Sequence, residues 1–143
     1  MIYLLRHGDA EAGDGDDPAR RLTPKGERQA RAAGQALAAL EAGIGACLAS
    51  PKLRAAETAR LACEPLGIEP EAAEPLSGGA FDSPALSAGR GDVLLVGHEP
   101  DLSAEVARLT GGNVKLRKGS LAIVDGSTLL ALLRPGDLAA IAR

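Results

Sequence analysis

Short uninterrupted apolar runs along the chain alternate with longer stretches in which apolar residues recur every three or four positions, and Gly, Ser, Thr and Pro mark the changeovers. Ile2 to Leu5 predicts a buried strand that ends in Arg6-His7-Gly8-Asp9, and an acidic, Gly-containing loop runs from about Ala10 to Pro18. Thr23-Pro24 supplies an N-cap and a first-turn proline for a helix with Ala30, Ala33, Leu37 and Leu40 on its inward face, ended by Gly43. The grammar then repeats. Ile44 to Ala49 predicts a strand, Ser50-Pro51 a cap and first-turn proline, and Leu53 to Leu66 a helix closed by Gly67. A weaker strand is expected near Glu71 to Ala73, and Pro75 to Gly91 reads as loop with one short helix. Asp92 to Gly97 is the strongest strand by length and branching, and His98-Glu99-Pro100 turns it into a helix with Leu102, Val106 and Leu109 inward. Ser120 to Asp125 and Thr128 to Leu133, parted by Gly126-Ser127, predict a hairpin.

Strands alternating with helices imply an α/β fold, its largely parallel sheet covered on both faces. No repeat or linker divides the chain, so residues 1–143 are expected to form a single domain. Right-handed crossovers would bring the ends of the first, second and fourth strands to one edge of the sheet, where ligands bind in such folds. Those ends carry Arg6-His7, Ser50 with Arg54 one turn later, and Gly97-His98. Both histidines of the chain thus occupy equivalent strand-to-loop junctions.

Composition narrows what that edge does. The core must be built from Ala, Leu, Val and Ile, because the chain has no Trp, one Tyr and one Phe, which also excludes a base-stacking platform for single-stranded nucleic acid. A formal net charge of −3 gives no global attraction to nucleic acid or anionic lipid, so local arginine clusters carry more information. No transmembrane-length run or signal peptide is visible, and a cytoplasmic monomer is expected. Cys47 and Cys63 read as two buried thiols. Glu11, Asp14, Asp16 and Asp17 lack the spacing of a calcium loop and read as a solvated segment. Lys115, Arg117 and Lys118 form a small basic patch, either a solvated face or a means of steering an acidic protein substrate.

Two histidines with two or three arginines make a site for a dianionic phosphoryl group. A neutral imidazole attacks phosphorus well, and a covalent phosphohistidine divides one displacement into two easier ones. Guanidinium groups bind phosphate oxygens in forked pairs and hold a nearby histidine unprotonated, supplying the charge that a metal would otherwise bring. No metal or cofactor is therefore expected. The tautomer of His7 requires a partner at its other ring nitrogen, such as a backbone carbonyl. Arg54, in a first helical turn, leans toward an anion held there; the alternative is a surface arginine beside Glu57. Arg20 and Arg21 precede the first helix, and Arg21 reads as a solvated charge.

In order and context these residues resemble the histidine phosphatase superfamily. Arg6-His7-Gly8 is similar to its R-H-G signature, Arg20 to Gly26 to its R-x-L-T-x-x-G segment, and Ser50 to Ala59 to its S-P-x-x-R-A-x-Q-T-A segment, with Glu57 in place of the Gln. Val96-Gly97-His98-Glu99-Pro100 is similar to the segment with the second histidine. The resemblance implies a phosphoglycerate mutase-like α/β/α sandwich with one antiparallel strand in a mostly parallel sheet. It implies His7 as nucleophile, Arg6, Arg54 and His98 as the catalytic phosphate pocket, and Arg20 as a further phosphate ligand. Short length and a compact middle segment look most like the SixA type, whose substrates are phosphohistidine proteins such as phosphotransfer domains, with inorganic phosphate as product. Mutase-like relatives carry a glutamate that protonates an alcohol leaving group. Here Glu74 and Glu99 are the candidates, and neither matches well, which favours P–N bonds over alkyl esters because a departing imidazole needs less help than an alkoxide. A broad small-molecule phosphomonoesterase or mutase is the alternative reading, and a non-catalytic phosphate-binding module a third.

Overall fold

The computed structural model describes residues 1–13 and 17–143; Asp14 and Asp16 of the acidic loop lie outside the described residues. The chain runs β1 (Ile2–Arg6), α1 (Pro24–Ala39), β2 (Ala46–Ala49), α2 (Leu53–Leu66), β3 (Pro70–Ala72), a 3-10 turn (Glu74–Ser77), α3 (Ser83–Ser87), β4 (Val93–Gly97), α4 (Asp101–Thr110), β5 (Leu121–Asp125), β6 (Thr128–Leu133) and α5 (Pro135–Ala142). The strands form one six-stranded sheet in the order β3-β2-β4-β1-β5-β6. The pairs β3–β2, β2–β4 and β4–β1 are parallel, whereas β5 runs antiparallel to both neighbours. β5 is thus the one reversed strand, as the family resemblance implies.

Alternation along the central strands divides the core into two layers. Tyr3, Leu5, Leu94 and Val96 face one side and pack with Ala33, Leu37, Ala59, Ala62 and Leu138 from α1, α2 and α5. Leu4, Val93 and Leu95 face the other, with Leu76, Leu102, Val106 and Leu116. Small residues let the helices of the first layer approach closely. A Cβ on Gly34 of α1 would lie 2.2 Å from the Ala62 carbonyl oxygen of α2. Cys47 and Cys63 are free thiols buried in this layer.

Thr23 caps α1 as expected, its hydroxyl oxygen accepting from the Gly26 amide, and Gly67 ends α2 in the left-handed region at φ 67°. Four local expectations are corrected. Leu40 lies one residue past α1 and is 49% exposed. The second strand begins at Ala46, so Ile44 is buried outside the sheet. Lys52, not Ser50, is the N-cap of α2, with no side-chain cap bond. The hairpin is followed by α5, which sequence reasoning missed. Among the described residues no helix is long and apolar enough to cross a membrane.

Candidate active site

β1, β2 and β4 end side by side. Arg6 pairs with Gly97 in register, and Ala49 with Val96, so the residues just beyond each strand meet at one edge. The His7 amide donates to the Gly97 carbonyl and the Ser50 amide to the Val96 carbonyl, extending the ladder into the site. His7 is 5% exposed, Arg54 3% and His98 7%. The two imidazole centroids stand 5.2 Å apart with planes inclined at 55°. They share a cavity of about 440 Å³ with Arg6, Arg20, Lys52 and Arg54.

His7 Nδ1 lies 2.7 Å from the Gly8 carbonyl oxygen. A carbonyl only accepts, so Nδ1 carries the proton and Nε2 holds the lone pair. Burial, with the positive neighbours His98, Arg54 and Arg6, lowers the His7 pKa from its ordinary 6.5 to about 3. His7 Nε2 is therefore unprotonated at neutral pH. Gly8 is itself held, because its amide donates to Thr58 Oγ1 at 3.0 Å, and the Thr58 hydroxyl donates to the Arg54 carbonyl at 2.7 Å. Thr58 thereby ties the loop bearing His7 to the helix bearing Arg54. Glycine at position 8 is required by crowding, since a Cβ there would lie 2.5 Å from the Gly26 carbonyl oxygen.

Arg6 donates from Nη1 to the Leu116 carbonyl at 2.9 Å, and Arg54 from Nη1 to the Asp17 carbonyl at 3.1 Å. Burial lowers the Arg6 pKa, Glu99 opposes this, and Arg54 adds to the lowering. Arg20 lines the cavity and reaches the Glu11 carbonyl with Nη1 at 3.3 Å. The Nε atoms of Arg6 and Arg20 are buried donors with no hydrogen-bond partner among the described residues, as expected where an anion supplies the acceptor. Arg21 is exposed and does not line the cavity. His98 Nε2 lies 2.8 Å from Ser50 Oγ, which also accepts from the Lys52 amide.

Neither acid candidate is presented to His7. Glu99 lines the cavity, but its carboxylate accepts from the Ser103 amide (2.8 Å), the Ser103 hydroxyl and the Leu116 amide (3.4 Å). Glu74 does not line the cavity, and its carboxylate accepts from the Ser77 hydroxyl at 3.2 Å. The middle segment contributes only Ser77, Gly78 and Gly79 to the wall, with Asp101 Oδ2 accepting from the Gly79 amide at 3.1 Å. Sequence reasoning missed Lys52, Thr58 and Asp101. Lys52 stands in the S-P-x-x-R-A-x-Q-T-A segment as an unspecified position, Thr58 stands there as the specified Thr but without a role, and Asp101 is marked only by a contact remote in sequence. Among the described residues no group of three or more His, Cys, Asp or Glu could hold a metal ion.

Residues 2–83 match the family model of the histidine phosphatase superfamily, branch 1. An uncharacterized protein of Picosynechococcus sp. (strain ATCC 27264 / PCC 7002 / PR-6) is 36% identical over 137 residues, covering 84% of this chain and 81% of its own length. Among solved structures, the protein histidine phosphatase SixA complexed with tungstate is 27% identical at a TM-score of 0.81, covering 96% of this chain and 98% of that one. Phosphoglycerate mutase from Thermus thermophilus shares the fold at a TM-score of 0.68 and 22% identity, covering 92% and 97% of the two chains.

Proposed function

The chain belongs to branch 1 of the histidine phosphatase superfamily and is a phosphatase of the SixA type; we propose that it removes phosphate from phosphohistidine on a protein, such as a phosphotransfer domain, through a phosphohistidine on His7. The observation that carries this reading is the commitment of both candidate acids elsewhere, while a bare imidazole nitrogen stands among cationic side chains. His7 Nε2 attacks phosphorus, and the P–N bond to the substrate breaks as the new one forms. The substrate reacts in its imidazolium form, protonated from solvent on the other ring nitrogen, so its imidazole departs neutral. Water then attacks the phosphoryl group on His7, returning the lone pair to Nε2 and releasing inorganic phosphate. Arg6, Arg54 and Arg20 hold the phosphoryl oxygens and balance their charge, and His98 donates to the group in transfer.

An alkoxide would need a delivered proton, an effect of about 10²–10⁴-fold, and the carboxylates that line the cavity, Glu99 and Asp101, already accept from Ser103, Leu116 and Gly79. The test is turnover of a phosphohistidine protein against a panel of alkyl phosphates, with and without EDTA, plus alkaline-quench trapping of phosphate. The expected result is label on His7, loss of turnover in His7→Ala, a strong preference for the P–N substrate and no effect of EDTA. Equal kcat/KM on alkyl phosphates would transfer the reading to a broad phosphomonoesterase, and full activity of His7→Ala would end the mechanism.

A further inference from the structure

We propose that a basic groove beside the catalytic pocket docks an acidic face of the protein that carries the phosphohistidine, an inference that rests on the function proposed above. The groove, about 760 Å³, is larger than the catalytic cavity and more open. Arg6 lines both, so the two are neighbours that share one side chain. Lys25 from the first turn of α1 lines it, together with Arg117 and Lys118 from the loop before β5. All three are exposed.

The charge there is not cancelled. Of the groove's two carboxylates, Asp137 is held by Arg134 through contacts of 3.1 Å, and Asp9 accepts from Thr23 and pairs with Lys118 at 3.6 Å. Lys25 also attracts Asp9 through space, and among the described residues Arg117 makes no ion pair, so the groove's five cations outnumber its two carboxylates. A chain of net charge −3 therefore gathers its spare cations beside the entrance to its own phosphate site. In the catalytic pocket Arg54 is buried and the Nε atoms of Arg6 and Arg20 are buried as well, whereas the exposed cations of the groove do not form a desolvated cage for one phosphate. They suit several carboxylates spread over a polypeptide surface, which they would attract over distance and orient on contact. Nucleic acid fits less well, since Tyr3 is buried and Phe81 is the only other aromatic ring besides the histidines.

The test uses two synthetic phosphohistidine peptides, identical except that one carries glutamates and the other glutamines around the phosphohistidine, with phosphoimidazole as a substrate lacking flanks. The wild-type protein should favour the Glu peptide by about tenfold or more in kcat/KM at low salt, and the preference should shrink at high salt. A Lys25→Glu/Arg117→Glu variant should lose the preference and still turn over phosphoimidazole at the wild-type rate. If that variant loses phosphoimidazole turnover through misfolding, Arg117→Gln alone repeats the comparison. Equal rates on the two peptides, or a Glu preference that survives charge reversal, would overturn the docking surface. Inertness toward phosphoimidazole and both peptides would instead remove the phosphohistidine reading itself.

Discussion

Thr58→Val isolates the tie between the loop bearing His7 and the helix bearing Arg54. The substitution keeps the side chain's shape and opens no cavity, but it removes the acceptor for the Gly8 amide and the donor to the Arg54 carbonyl. The carbonyl keeps its helical role, whereas the Gly8 amide is left buried without a partner. A buried unsatisfied donor costs about 1–3 kcal/mol. With about 2–4 °C lost per kcal/mol in a chain near this size, a melting temperature lower by about 4–8 °C is expected for a 2 kcal/mol effect. The catalytic effect travels by a separate route. Gly8 presents the carbonyl that fixes His7 Nδ1 at 2.7 Å, so a shift of Gly8 misaims Nε2. Misplacement by about 1 Å costs on the order of a hundredfold in rate. Thermal denaturation paired with kcat and KM on phosphoimidazole reads both effects: kcat should fall by about tenfold or more, KM should change little, and Thr58→Ser should restore both quantities. A Thr58→Val protein as stable and as fast as wild type would refute the chain from Thr58 through Gly8 to His7.

Two further outcomes follow from the same geometry. His7 titrates near 3 in the folded state and near 6.5 unfolded, so the unfolded chain alone takes up a proton as pH falls below 6.5, and stability declines with acidity until about pH 3. Between pH 6.5 and 4 this amounts to about 3 kcal/mol, so urea midpoints in phosphate-free buffer should fall more steeply for wild type than for His7→Gln, and parallel curves would contradict the shift. Glu99→Gln keeps an acceptor for the Ser103 amide, so phosphohistidine turnover should stay within about twofold; a loss of 10²-fold or more would make Glu99 the acid.

Much of this site was legible in the sequence because its residues stand at strand ends, and strand ends are where apolar runs stop. Arg6, His7 and His98 needed only the runs before them, and Arg54 a Ser-Pro boundary one turn earlier. What escaped depends on contacts between distant positions. The S-P-x-x-R-A-x-Q-T-A segment includes Thr58, but its role is invisible until Gly8, fifty residues earlier, is placed against it. Ser50 was read as a helix cap because Ser-Pro signals one, but its hydroxyl faces His98. α5 was missed because Pro135-Gly136 reads as an interruption and the helix is only eight residues long. Leu40 was counted inward because periodicity does not reveal that the helix has already ended.

The reversal of β5 has a consequence for the order in which the protein becomes competent. Because β5 runs against its neighbour, the chain approaches the active edge before entering the strand, and the arriving segment supplies the Leu116 carbonyl to Arg6 and the Gly119 amide to the His7 carbonyl. β1 precedes both of its outer neighbours, β4 and β5, along the chain and lies between them in the sheet. His7 thus emerges from the ribosome well ahead of the strands that flank β1, and the second flank stays open until more than a hundred further residues have followed. A nascent chain halted before Leu116 would carry both histidines and all three arginines of the pocket, and would still lack the wall that seats Arg6.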